Sequence, residues 1–176
     1  MAPLRPLAIG HPIRFIPEWN HDPYLIRRKW SEPSWCPSCG ASYEKGRWVW
    51  AMHKANGASE KICPACQRIR DAYPAGYLTL KGAFVMSHRR EIEALIHHVV
   101  EREKSEHPLK RLMRCGMDCE GGFEATFTEP HLAAQVGQQI QRAYDGDLST
   151  QYEQGEYLVR VYWERNESES LPSGDL

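Results

Sequence analysis

Apolar and polar residues alternate at several points in the second half of the chain. Phe123, Ala125 and Phe127 interleave with Glu124, Thr126 and Thr128. Met113, Cys115 and Met117 alternate within 109–117, and Tyr157, Val159, Val161 and Trp163 do so near the end. A strand sends successive side chains to opposite faces, so each run predicts a strand with one buried face. Two other stretches repeat with a helical period: Ile92, Leu95, Ile96 and Val99, then Leu132, Val136, Ile140 and Ala143. Each predicts an amphipathic helix with one apolar stripe. Ser87 is the expected cap of the first, which His107-Pro108 stops. Thr128 and Pro130 open the second and Asp145-Gly146 ends it. Strands over 77–81 and 148–152 complete the set, with turns at Gly121-Gly122 and Glu153-Gln154-Gly155. The resulting order over 77–164 is β, then αββ, then αββ. It predicts an α+β fold, a ferredoxin-like sandwich with two helices on one face of an antiparallel sheet.

The first half is patterned differently. Pro3, Pro6, Pro12 and Pro17 interrupt any helix at the start, and residues 1–32 read as an extended arm. Over 33–70, Gly46-Arg47-Trp48-Val49-Trp50 alternates like a strand and Asn56-Gly57 signals a turn. Cysteine pairs flank that strand: Cys36-Pro-Ser-Cys39 and Cys63-Pro-Ala-Cys66, with 23 residues between Cys39 and Cys63. Two such knuckles, each presenting two sulfurs, complete a tetrahedron around Zn²⁺. Four protein ligands leave no open position, so the expected role of the zinc is structural. A redox dithiol, a disulfide pair and an iron–sulfur centre are the competing readings of the same cysteines. Trp48 and Trp50 are expected to pack on the knuckles. Cys115 and Cys119 read as ordinary thiols. Asp71 to Gly76 forms a Pro/Gly connector between a zinc-ribbon module and the α+β domain, and residues 165–176 read as a disordered acidic tail.

Composition narrows the function classes. Of 176 residues, 41% are hydrophobic and 26% charged, as in ordinary folded proteins. No apolar run approaches the length of a membrane span, and no secretory signal is evident, so a cytoplasmic location without membrane contact is expected. The net charge of −1 hides an asymmetry: residues 1–70 hold 11 Lys and Arg against 5 Asp and Glu, whereas 129–176 hold 3 against 9. A basic half beside an acidic half suits nucleic-acid contact, although mutual attraction of the halves explains it equally simply. In the arm, Arg5, Arg14, Arg27, Arg28 and Lys29 are interleaved with Phe15, Trp19, Tyr24 and Trp30. Bases stack on aromatics and phosphates pair with cations, so the arm suits RNA; packing of those aromatics on the ribbon is the plainer alternative.

No phosphate-binding GxxxxGK loop, dinucleotide GxGxxG or nucleophile-elbow GxSxG is present. His88, His97, His98, His107 and His131 read as structural. Glu91, Glu93, Glu101, Glu103 and Glu106 read as the solvated face of the first helix. No catalytic constellation emerges, and neither an enzymatic activity nor a small-molecule substrate is expected.

The chain resembles a family of small bacterial zinc-ribbon proteins. The likeness spans most of residues 33–164. It rests on Cys36-Pro-Ser-Cys-Gly40 with Gly46–Trp50, on Cys63-Pro-Ala-Cys66 with Pro74-Ala75-Gly76, on His107-Pro108-Leu109 and His131-Leu132-Ala133, and on Arg160-Val161-Tyr162-Trp163. It implies paired zinc knuckles ahead of an α+β domain and carries no activity. Through the cysteines, their order and Thr128-Glu129-Pro130-His131, the layout is distantly similar to the N-terminal part of the large-ribosomal-subunit export adaptors. This chain has two CxxC pairs where that family has more. That likeness implies work on the ribosome. The sequence thus predicts a non-enzymatic protein that holds structural Zn²⁺ through Cys36, Cys39, Cys63 and Cys66. It is expected to meet RNA or the ribosome through Arg14, Arg27, Arg28, Lys29 and Arg47. A protein-interaction adaptor and a thiol-based redox switch are the alternatives.

Overall fold

The computed structural model describes residues 22–24, 30–118 and 122–166. The fold is α+β, with two mixed sheets and four helices. In the first part, β1 (Ser34–Trp35) and β2 (Ala41–Glu44) flank the first cysteine pair, and β3 (Arg47–Trp50) and β4 (Ser59–Glu60) follow. They form a four-stranded sheet in the order β3-β2-β1-β4, in which only β1 and β4 are parallel. Lys45-Gly46 closes the β2–β3 hairpin with φ of 52° and 78°, and both backbone amides donate to the Glu32 carboxylate. Trp48, Tyr43 and Ala41 are buried with Cys36 and Cys63, and Trp30 closes over Tyr43 and Trp48.

The second cysteine pair opens a helix that the strand-rich reading of 33–70 did not contain: α1, Pro64–Arg70. Cys63 occupies the N-cap and Pro64 the first helical turn, where the missing amide hydrogen costs nothing. Ala65 and Arg68, three residues apart, are the buried positions of this short helix.

The second part begins with β5 (Gly76–Lys81), a short α2 (Ala83–Ser87) and the long α3 (Arg89–Glu106). Ser87 does not cap α3. It ends α2, bonds back to the Ala83 carbonyl, and leaves His88, stacked on Phe84, between the two helices. The chain continues through β6 (Leu112–Met117), β7 (Phe123–Phe127), α4 (Pro130–Tyr144), β8 (Asp147–Tyr152) and β9 (Val159–Glu164). The sheet order is β6-β7-β5-β9-β8. Leu78, Leu80, Phe123, Phe127, Val161 and Trp163 line its inner face. They meet Ile92 and Ile96 of α3 and Leu132, Val136 and Ile140 of α4.

The predicted β-αββ-αββ order is present, but the sheet is not wholly antiparallel: β5 and β9 pair in parallel at its centre. Apolar content accounts for the arrangement. The inward positions of β9, Val159, Val161 and Trp163, are fully buried, whereas β8 is Ser/Thr/Gln-rich and exposed apart from Leu148 and so forms an edge. Helix α4 lies close enough to the sheet that glycine is required at two places. A Cβ on Gly76 would stand 2.6 Å from the Ala133 side chain, and one on Gly137 would stand 2.7 Å from Val161.

Candidate metal centre and tyrosine cleft

The first knuckle is a turn. Gly40 N donates to Cys36 O and Cys36 N to Ala41 O, and Gly40 takes a φ of 79° that suits only glycine well. The second is the first turn of α1, which sets Cys63 and Cys66 three residues apart on one face. The four sulfurs converge: the Sγ atoms of Cys36, Cys39, Cys63 and Cys66 all lie within 4.8 Å of one another. Cys36 and Cys63 are fully buried, and Cys63 N donates to Cys36 Sγ at 3.3 Å. Cys39 Sγ is 3.7 Å from Cys63 Sγ. This contact, helped by Arg111 and opposed by burial, draws the Cys39 thiol down to about 4. The same contact, together with burial, pushes Cys63 up. Burial takes Cys66 up to about 11.

Arg111 is the residue that sequence reasoning missed. It belongs to the α+β part, yet its Nη1 donates to Cys66 Sγ at 3.4 Å. Thr128 holds the loop that delivers it: the Thr128 hydroxyl donates to Leu109 O and accepts from Arg111 N. Arg111 Nε is tied to Pro108 O, and the guanidinium lies 5.4 Å from the Trp50 ring centroid. Its Nη2 is buried without a hydrogen-bond partner among the described residues. A buried cation with an idle donor beside four sulfurs fits a metal–thiolate group, because four thiolates on a divalent ion leave a net charge of about −2 to be offset. The residues present therefore fit a metal ion. Arg111 stands 45 residues from Cys66. No local motif marks that approach, although His107-Pro108-Leu109 and Thr128-Glu129-Pro130-His131, which carry the resemblances, lie on either side of it in the chain.

The structure brings the four predicted cysteines together and places Trp48 beside them. Trp50 instead turns to the other part: 38% exposed, it donates from Nε1 to Lys104 O at 2.6 Å. Of the predicted nucleic-acid contacts, Arg47 sits exposed on β3. Arg14, Arg27, Arg28, Lys29 and Cys119 lie outside the described residues. Trp30 and Tyr24 both pack on the ribbon. The Tyr24 ring lies 4.6 Å from the Arg68 guanidinium, and that guanidinium forms a buried ion pair with Asp22.

A cleft of about 650 Å³ lies beside this ion pair. Arg68, Tyr73, Pro74, Tyr77, Glu156, Tyr157 and Arg160 are among the residues that line it. Tyr73 is 51% exposed, and Arg160 stacks 4.8 Å from the Tyr77 centroid. Tyr157 is the committed member: burial pushes its phenol up, and its hydroxyl reaches Glu129. No helix among the described residues is long and apolar enough to cross a membrane. Comparisons of the chain with protein-family models, curated proteins and solved structures return no match.

Proposed function

We propose that this is a non-enzymatic zinc protein that associates with RNA or the ribosome. Zn²⁺ is the ion that a closed tetrathiolate suits best, since it needs neither an open position nor redox chemistry. The α+β part is then a variant of the ferredoxin-like sandwich in which the last hairpin inserts β9 beside β5.

One observation carries the RNA reading: Tyr73, Tyr77 and Tyr157 line one cleft between α1 and the five-stranded sheet, where Arg68 and Arg160 are held by Asp22 and Glu153. Single-stranded RNA is held by stacking of its bases on such aromatic faces, while its phosphates meet cations that are not already paired. The exposed side chains of Lys45, Arg47 and Lys61 form no ion pair among the described residues. They supply cations for the backbone, alongside the expected contributions of Arg14, Arg27, Arg28 and Lys29. Binding of a fluorescent single-stranded RNA to the zinc-loaded chain tests this. Replacing Tyr73 and Tyr77 by Ala is expected to cost about 1–3 kcal/mol per lost stack, roughly 5- to 150-fold each. Replacing Lys45, Arg47 and Lys61 by Glu is expected to weaken binding and flatten its salt dependence. Unchanged binding in both variants would overturn the assignment.

The outer face of the sheet favours a second reading. Tyr162, Thr79 and Ser149 line it, and Tyr162 is 38% exposed. Such a face suits a protein-interaction adaptor, and a protein complex surviving nuclease treatment would support that reading. The thiol-switch alternative rests on Cys39 and Cys66, the two sulfurs that are not fully buried.

A further inference from the structure

A second group of metal-ligating side chains lies on the far side of the α+β part. Glu93 and His97 are one turn apart on α3, so both side chains project from the same face. Cys115 lies on the edge strand β6 opposite Ala125, whose side chain is buried in the core, and its own thiol turns toward the helices. A carboxylate oxygen of Glu93, a ring nitrogen of His97 and the Cys115 Sγ all lie within 4.8 Å of one another. Tetrahedral ligands of zinc stand about 3.5 Å apart, so small rotations of the side chains close the set. Among the described residues, none of the three forms a side-chain hydrogen bond or ion pair, although Arg89 stands one turn before Glu93. Three different donor groups thus meet at one point without a hydrogen bond or ion pair among the described residues, the charge of Arg89 being felt at Cys115 from a distance.

We propose that Glu93, His97 and Cys115 form a second, exchangeable site for a divalent transition-metal ion, with Zn²⁺ as its natural occupant. The thiolate excludes Ca²⁺ and Mg²⁺, which require oxygen ligands. Carboxylate and thiolate together carry the charge that cancels a dication, so this site needs no counterpart of Arg111. The two sites differ in kind. The cysteine cluster is closed and two of its sulfurs are fully buried. Here His97 is exposed, and three protein ligands leave a position for water.

The test uses the full chain with its four-cysteine site filled, stripped of loosely held metal by a weak chelator and titrated with Zn²⁺ and, separately, Co²⁺. A second equivalent is expected, with Co²⁺ giving the absorption of a single thiolate ligand. Glu93→Gln and His97→Ala change a half-buried and an exposed position, neither of them part of the apolar core. Each is expected to lower affinity for the second equivalent by more than the 10- to 100-fold typical of losing an outer-sphere partner, while the first equivalent stays bound. Cys115→Ser is expected to remove the thiolate absorption. Absence of a second equivalent in the parent protein, or equal uptake by all three variants, would overturn the proposal.

Discussion

Arg111 ties the two halves of the molecule together through a single side chain. Its backbone is pinned by Thr128, its Nε by Pro108 O, and its Nη1 reaches Cys66. An outer partner of this kind orients a metal ligand and offsets its charge. Arg111→Met keeps the length and removes the charge, so it is expected to weaken zinc binding by about 10- to 100-fold, measured by competition with a chelating dye. An unchanged affinity would make Arg111 a packing residue only. The cysteines themselves were legible because the chemistry demands paired thiols at close spacing. Arg111 was not, because its role depends on a fold that returns residue 111 to residue 66. Glu93 and Cys115 were read as a solvated acid and an ordinary thiol for the same reason: each looks unremarkable until β6 is laid against α3.

At the level of elements, α4 is the test of how tightly the sandwich is built. Gly137 occupies a helix interior, where alanine is normally favoured by about 1 kcal/mol. The space is absent: a Cβ there would press on Val161 at 2.7 Å and Leu148 at 3.2 Å. Gly137→Ala is therefore expected to destabilise the fold by about 1–3 kcal/mol in denaturant unfolding, against its helix propensity. Glu103 joins three elements. It accepts from Lys110 Nζ at 2.9 Å and from Gln135 Nε2 at 2.6 Å, linking the end of α3 to the Arg111 loop and to α4. Lys110 holds its carboxyl below the ordinary range, with help from Gln135. A depressed carboxyl stabilises the fold above its unfolded value near 4.3, and that contribution fades as pH falls toward the folded value. Glu103→Gln is expected to cost about 1 kcal/mol near neutrality. Melting curves at a series of pH values should show parent and variant converging below about pH 4.

Periodicity revealed the long helices and the strands β6, β7 and β9, whose residues alternate, whereas β8 has only Leu148 turned inward and shows no such repeat. It did not reveal α1, which is too short to show a helical repeat and begins inside a motif that reads as a knuckle. Nor did it give the parallel pairing of β5 with β9. That pairing depends on which strand buries more apolar surface, and Trp163 outweighs anything β8 offers.

Across the whole molecule, the four-cysteine cluster, the Arg111 loop and the Trp50–Lys104 bond join the basic N-terminal part to the α+β part. The tyrosine cleft opens between Arg68 of α1 and the turn that leads into β9. Arg68 pairs with Asp22 inside the basic half and lies over Tyr157 of the α+β part, so this cation is already committed. Lys45, Arg47 and Lys61, which form no ion pair among the described residues, are the cations a nucleic-acid partner would meet under the proposed function. Sedimentation of the zinc-loaded native protein from lysate, at low and high salt and with or without nuclease, asks most directly whether that partner is RNA. The account predicts migration with RNA or ribosomal particles at low salt, and release by high salt or nuclease. Migration as a small free species under every condition, or in a complex indifferent to nuclease, would contradict it.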